Sequence, residues 1–302
     1  MPYPYLILDV FTDRPLAGNP LAVVFDVAGL ADSRMQVVAR EFNLSETVFV
    51  LPAENSVHSA RIRIFTPSRE LPIAGHPIIG TAVAVARRIA AGDPERHEQV
   101  LVLEAAVGPI RCGVFIRGER SGHAIFDVPR LPVTLGVTAD REAISAALGL
   151  VPAEVGFENH RPSAFTAGLD FTFVPVRDLE VIARVKPVPS QWSAAFGAAT
   201  GAAYVYCRQA EVSGNHFHGR MFAPAFGFGE DPATGSAAAA FAGVIHRFDQ
   251  PPGGGHRYVI EQGFEIGRPS QMVLELDIEH GAIAAVRIGG DAVVVAEGTL
   301  VL

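Results

Sequence analysis

Residues 229–245 read GEDPATGSAAAAFAGVI. Two acids, a proline and a Thr-Gly-Ser turn stand ahead of a run made almost wholly of alanine. Small residues at this density have a physical reason. A helix enclosed by a sheet on most sides leaves no room for bulky side chains. Residues 73–91, IAGHPIIGTAVAVARRIAA, carry the same device: a glycine turn, a proline, then a helix-length run of small and β-branched residues. The chain therefore predicts two enclosed helices, each opened by a turn that offers free backbone N–H groups.

The segments around these two runs alternate like strands. YLILDVF, LAVVF, TVFVL, RIRIF, VLVLEA, IRCGVFI and AIFDV follow one another with turn residues between them. Besides residues 77–91, the first half shows one helix candidate, Asp32 to Phe42, with Val37, Val38 and Phe42 as its apolar side. PRLPV at 129–133 breaks the chain, and the order then roughly repeats. A short helix is expected near 139–148, strands at 163–176, short helices near 178–199, and strands at 202–207 and 215–222. The alanine-rich helix near 233–247 comes next, then strands at 257–261, 271–279 and 282–288, and the chain closes on AVVVAEGTLVL. Strands in runs argue against a doubly wound parallel sheet. Two α+β halves, each a curved sheet wrapped on a helix, fit the pattern, and the repeat reads as a weak internal duplication.

With 302 residues, 49% hydrophobic and 19% charged, the chain can bury a large core and matches about two domains. A formal net charge of −8 and no Lys/Arg run exclude a nucleic-acid surface as the expectation. The N-terminus has no basic lead with a cleavable apolar core, and no apolar span suits a membrane. The expectation is a soluble, cytoplasmic protein. Cys112 and Cys207 lie far apart in strand-like segments with neither CxxC nor histidine spacing, so they read as buried thiols rather than a disulfide or metal site. His216 and His218 alternate on one strand without a third ligand and read as structural. Neither GxGxxG nor GxxxxGK[ST] occurs, so a nucleotide-cradling loop is unsupported.

Three places could carry chemistry. Gly75 and His76 open the first small-residue helix, where free N–H groups attract an anion; a plain helix start with a capping histidine is the ordinary alternative. Asp231, Gly235 and Ser236 open the second, where an acid also suits the positive end of a helix dipole without any ligand. Glu46 opens the apolar strand ETVFV, where partial burial would raise its pKa and make it a usable proton carrier; an edge glutamate facing water is the alternative. What favours function is that both halves offer the same turn.

In this order, DVFTDRPLAGNPLAVVF (9–25), LSETVFV (44–50), FTPSRELPIAGHPIIGTA (65–82), RMFAPAFGFGEDPATGSA (220–237) and EQGFEIGRPSQM (261–272) resemble the PhzF-like family of phenazine-biosynthesis-type isomerases. The likeness runs nearly end to end. It implies an α+β, diaminopimelate epimerase-like fold of two pseudo-symmetric domains, each a barrel-like sheet around a central helix, with the site in the cleft between them. Residues 1–128 would form the first domain, possibly joined by the last strand at 291–302, and residues 129–290 the second. The resemblance places the proton carrier at Glu46, with Gly75, His76, Asp231, Gly235 and Ser236 around the substrate, and implies a homodimer.

Related epimerases and racemases set one cysteine at each glycine turn. Here Ala74-Gly75-His76 and Pro232-Ala233-Thr234 occupy those turns, which disfavours two-thiol racemisation. The reaction the resemblance implies is a cofactor-independent proton and double-bond shift in a small unsaturated or cyclic carboxylic acid of the trans-2,3-dihydro-3-hydroxyanthranilate type. Two alternatives stay open: epimerisation or racemisation of a small amino or hydroxy acid, and a non-catalytic small-acid binding or interaction protein of the same fold.

Overall fold

In a computed structural model, residues 2–91, 97–136, 138–197, 200–224 and 228–302 are described. The expected short-helix region near 178–199 therefore loses its last two residues, and the block at 220–237 loses 225–227. The chain divides into two compact units. One comprises Met1–Pro129 with Ile288–Leu302, the other Arg130–Arg287.

In the first unit the strands are β1 (Pro2–Val10), β2 (Asn19–Val24), β3 (Glu46–Leu51), β4 (Ala60–Phe65), the short β5 (Glu70–Leu71), β6 (Glu98–Ala105), β7 (Gly108–Arg117) and β8 (Ser121–Asp127). The last strand of the chain, β17 (Ala282–Val301), joins them. Pairing runs β1–β2–β3–β4–β6–β7–β8–β17 and returns to β1, so the sheet closes. Helix α2 (Gly75–Ala90) threads it, packed on β1, β2, β3, β6, β7 and β8 and buried on all sides from Gly75 to Ala86. The alternation of β7 shows how sequence dictates this: Ile110, Cys112, Val114 and Ile116 point inward while Arg111, Phe115 and Arg117 point out. Gly80 of α2 approaches the wall so closely that a Cβ there would lie 2.6 Å from Leu21 Cδ2 and 2.8 Å from Val10 Cγ2. Towards the far end of the helix, buried Gln99 donates to the Ala86 carbonyl at 3.0 Å and ties β6 to the helix.

Helix α1 (Asp32–Phe42) lies on the outside of this sheet, against β3 and β4. It buries Met35, Val38 and Ala39, which pack with Phe49 and Phe65, whereas Val37 is 51% exposed. The expectation that Val37 belongs to the apolar side is corrected. Met35 is four residues from Ala39 and three from Val38, and that spacing, not the Val-Val pair, sets the face.

The second unit holds β9 (Val133–Thr134), β10 (Ser163–Thr166), β11 (Asp170–Pro175), β12 (Ala203–Cys207), β13 (Phe217–Ala223), β14 (Phe228–Asp231), β15 (Gly254–Gln262) and β16 (Ser270–Glu279). These pair β9–β10–β11–β12–β13–β15–β16, with β14 also on β13. Helix α6 (Gly235–Phe248) packs on β9, β10, β11 and β16. Its one large residue inside the alanine run, Phe241, meets the rings of Phe173, Tyr204, Tyr206 and Phe217 at centroid distances from 4.8 to 6.0 Å. Aromatic wall residues thus fill the volume that the alanines leave. Helices α3 (Arg141–Leu148), α4 (Leu179–Arg184) and α5 (Pro189–Trp192) build an outer layer on the sheet's other face, around Trp192, Phe196 and Phe222.

This is the α+β epimerase-like architecture. No helix among the described residues is long and apolar enough to cross a membrane. Cys112 and Cys207 are free and buried, and burial pushes both thiols up to about 12.

Candidate active site

The loop between β1 and β2 delivers the first side chain. Asp9, buried at the end of β1, accepts the Leu16 N–H at 2.6 Å and so folds residues 11–18 back on themselves. Gly18 closes the turn at φ 64°, where a Cβ would meet the Val10 carbonyl oxygen at 2.3 Å. Asn19 follows as the first residue of β2, fully buried. Leu21, two residues on and therefore on the same face, is the parallel partner of Glu46 in β3. Leu21 also touches α2 at Gly80, so this is the face turned to the helix. Sheet register alone brings Asn19 and Glu46 to the same end of the barrel wall, beside the start of α2.

That start carries His76. Helix α2 begins at Gly75, two residues earlier than Pro77, which becomes the third residue rather than the first. A proline costs nothing there, because N–H groups of a first turn have no partner within the helix. His76 is 4% exposed, and its Nε2 lies 3.2 Å from Glu46 Oε2. The two atoms are close but not aligned as a hydrogen bond, and His76 Nε2 has no hydrogen-bond partner. On the other side of the ring, Asn19 Nδ2 approaches Nδ1 to 3.3 Å. Burial pushes the His76 pKa down to about 3, so the ring is neutral at ordinary pH. The Glu46–His76 contact is therefore a carboxyl group against a neutral imidazole, not an ion pair. Glu46 is buried, not an edge residue facing water.

In the second unit the expected site residues form a different kind of turn. Asp231 is the last residue of β14, not a helix residue, and α6 begins at Gly235 with Thr234 as its N-cap. The Thr234 side chain makes no cap to the helix. Its hydroxyl instead donates to Asp231 Oδ2 at 2.6 Å. Gln262, the last residue of β15, completes the unit: its Nε2 donates to the Asp231 carbonyl at 2.7 Å and to Thr234 Oγ1 at 2.9 Å, while its Oε1 accepts the Thr234 N–H at 3.2 Å. Gly263 then turns at φ 82°, close enough that a Cβ would meet the Pro232 carbonyl oxygen at 2.6 Å. Gly235 is buried at the helix start and Ser236 is half-buried beside it.

Charged side chains brace this turn from below. Arg220 on β13 makes a two-pronged pair with Glu230, at 2.8 and 2.7 Å, and donates to the carbonyls of Ile182 and Val185 at the end of α4. His218, two residues earlier, sits between Glu261 at 3.1 Å and Glu265 at 3.0 Å. Burial opposes its charge, but the two carboxylates outweigh burial and hold its pKa up to about 9. His218 is thus a cation held between two carboxylates, and among the described residues no cluster of metal-ligand type occurs.

The structure therefore brings Glu46 and His76 into contact within the first unit, with Gly75 at the same helix start. It places Asp231, Gly235 and Ser236 together at the second helix start. Sequence reasoning passed over Asn19, Thr234 and Gln262. Asn19 had one signal, a polar residue immediately before the apolar run PLAVVF, and Gln262 ends the strand-like RYVIEQ just ahead of a glycine.

The family model of phenazine biosynthesis-like proteins, PhzC-PhzF, matches residues 8–298. An uncharacterized isomerase of Mesorhizobium japonicum is 50% identical, over 98% of this chain and 98% of its own. The trans-2,3-dihydro-3-hydroxyanthranilate isomerase of Pseudomonas aeruginosa is 37% identical, over 97% and 98%. Among solved structures, a PhzF-family phenazine biosynthesis protein of Bacillus anthracis superposes with a TM-score of 0.87, covering all of both chains at 24% identity, and bears on the fold. The chain belongs to the PhzC-PhzF, phenazine biosynthesis-like family and is an isomerase of that family.

Proposed function

We propose that the protein catalyses a cofactor-independent proton and double-bond shift in a small unsaturated or cyclic carboxylic acid of the trans-2,3-dihydro-3-hydroxyanthranilate type, with Glu46 as the proton carrier. The observation that carries this reading is the buried Glu46–His76 contact, 3.2 Å across, with His76 neutral. A buried carboxylate beside a neutral donor is equipped to take a proton and give it back. The Glu46 carboxylate removes a proton from a carbon flanked by unsaturation, and the electron pair moves into the conjugated system. The new carboxylic acid then returns the proton to another carbon of the same face, which restores the carboxylate. N–H groups of Gly75 and His76 stabilise the negative charge that develops between the two steps. The same proposal assigns the Asp231 turn and the helix start at Gly235 and Ser236 to substrate binding.

The relative named trans-2,3-dihydro-3-hydroxyanthranilate isomerase supports this substrate type. Epimerisation of a small acid is the second reading, and the two separate optically. A double-bond shift changes the ultraviolet spectrum, whereas epimerisation changes only optical rotation. Incubation with trans-2,3-dihydro-3-hydroxyanthranilate, beside Glu46→Gln, is the test. A Glu46-dependent spectral change is the expected result, and rotation without spectral change would overturn it. The reading also includes a homodimer in the cytoplasm, and light scattering of the pure protein at twice the chain mass is the expected result for the former.

A further inference from the structure

Asn19 lies outside the residues assigned above, yet it is fully buried at the only ring nitrogen of His76 that faces away from Glu46. Its Nδ2 is an amide NH2, which can only donate. The His76 Nδ1 that it reaches at 3.3 Å must therefore accept, and an accepting Nδ1 in a neutral ring puts the proton on Nε2. Nε2 is the atom 3.2 Å from Glu46 Oε2, buried and without a hydrogen-bond partner. A proton there is compatible with an ionised Glu46, whereas a lone pair there would repel the carboxylate. The opposite tautomer would leave two buried acceptors facing each other at 3.2 Å.

We propose that Asn19 is a positioning residue: its amide holds His76 in the neutral tautomer with the proton on Nε2, so that His76 presents a donor and Glu46 a bare base to the same substrate. The consequence for catalysis rests on the reading of Glu46 as proton carrier, but the tautomer itself does not. A neutral ring in this state donates a hydrogen bond to developing negative charge without surrendering its proton, leaving Glu46 as the group that moves one. The loop that places Asn19 is built for the purpose, closed by Asp9 on the Leu16 N–H and by the glycine at Gly18.

The test is the protonation pattern of His76 in the full chain without substrate. The protein is labelled with nitrogen-15 histidine, and long-range proton–nitrogen correlations are recorded. The chain has ten histidines, and the His76 signals are those missing from His76→Gln. Expected for the wild type is a bare Nδ1 and a protonated Nε2. In Asn19→Asp, a carboxylate of the same shape demands a protonated Nδ1, and the pattern changes accordingly. A wild-type His76 protonated on Nδ1, or an Asn19→Asp spectrum unchanged from wild type, overturns the proposal. The wild-type spectrum decides even if the variant fails to fold. Where turnover is measurable, Asn19→Asp lowers kcat on the order of 10²–10⁴-fold, as expected when a positioned acid/base is mis-set. Loss of turnover in the wild type would sink the proposed function and leave the tautomer standing.

Discussion

The two enclosed helices begin with turns that look alike in sequence and differ in what their polar atoms do. At the start of α6, Asp231, Thr234 and Gln262 bind one another, and the turn is a finished piece of structure. At the start of α2, His76 is held on one side by Asn19 and presents on the other a buried Nε2 without a hydrogen-bond partner, 3.2 Å from Glu46. A buried polar atom left open costs about 1–3 kcal/mol, which a purely structural turn would not carry. The difference supports the proposal that the first turn holds the proton chemistry and the second is a rigid holder.

The comparison breaks most easily at Glu46. Glu46→Gln should lower kcat on the order of 10²–10⁴-fold with little change in KM, measured by steady-state kinetics, since it removes the proton carrier but not the shape. Thr234→Val should act the other way. It deletes a hydroxyl that joins Asp231 to Gln262, should cost about 1–3 kcal/mol of stability in a denaturant titration, and leaves the Glu46–His76 pair untouched. A kcat loss as large as that of Glu46→Gln would erase the distinction between the turns. The helix interiors offer a matched pair. A Cβ on Gly80 would meet Leu21 at 2.6 Å and one on Gly243 would meet Phe165 at 2.5 Å. Alanine at either position should destabilise by about 1–3 kcal/mol through overpacking, read by the same titration.

Two histidines sharpen the comparison through pH. His76 titrates near 6.5 in the unfolded chain and at about 3 when folded, so its contribution to stability is present above 6.5 and lost as pH falls towards 3. His218 moves the opposite way. With a folded value of about 9, its contribution is complete below 6.5 and lost as pH rises through 9. Thermal melts should therefore show His76→Gln gaining on the wild type as the solution is acidified below 6.5. His218→Gln should be most inferior below 6.5 and close the gap above 9. The smallest effect belongs to the cysteines. Both thiols are buried with pKa about 12, so alkylating reagents should leave the native protein unlabelled and a Cys112→Ser, Cys207→Ser double variant should keep its turnover.

Much of this was legible from small residues. The alanine run and PIIGTAVAVA announced helices that a sheet must enclose, and strand alternation such as that of β7 supplied the walls. Helix α1 was read with its observed ends, yet Val37 was assigned to the wrong side, because a local Val-Val pair does not reveal which stripe the sheet offers. Glu46 and His76 were readable as candidates, but their contact was not. It depends on the register of β2 against β3, which pairs Leu21 with Glu46, and register is a long-range property. Asn19 and Gln262 were missed for the same reason. Each is a polar residue at a strand end, and only the fold shows what it touches. The expected starts of the two enclosed helices, Pro77 and residue 233, each lie two residues from the observed Gly75 and Gly235, because a proline or an acid fixes a helix start only to within a turn.

The central claim is that one carboxylate, Glu46, carries the proton, and it is tested most directly with trans-2,3-dihydro-3-hydroxyanthranilate bearing deuterium at the carbon that is deprotonated. The account predicts slower turnover than for the unlabelled compound, product that retains part of the deuterium at the newly protonated carbon, and turnover by Glu46→Gln reduced on the order of 10²–10⁴-fold. Full-rate turnover of the labelled substrate by Glu46→Gln would contradict it.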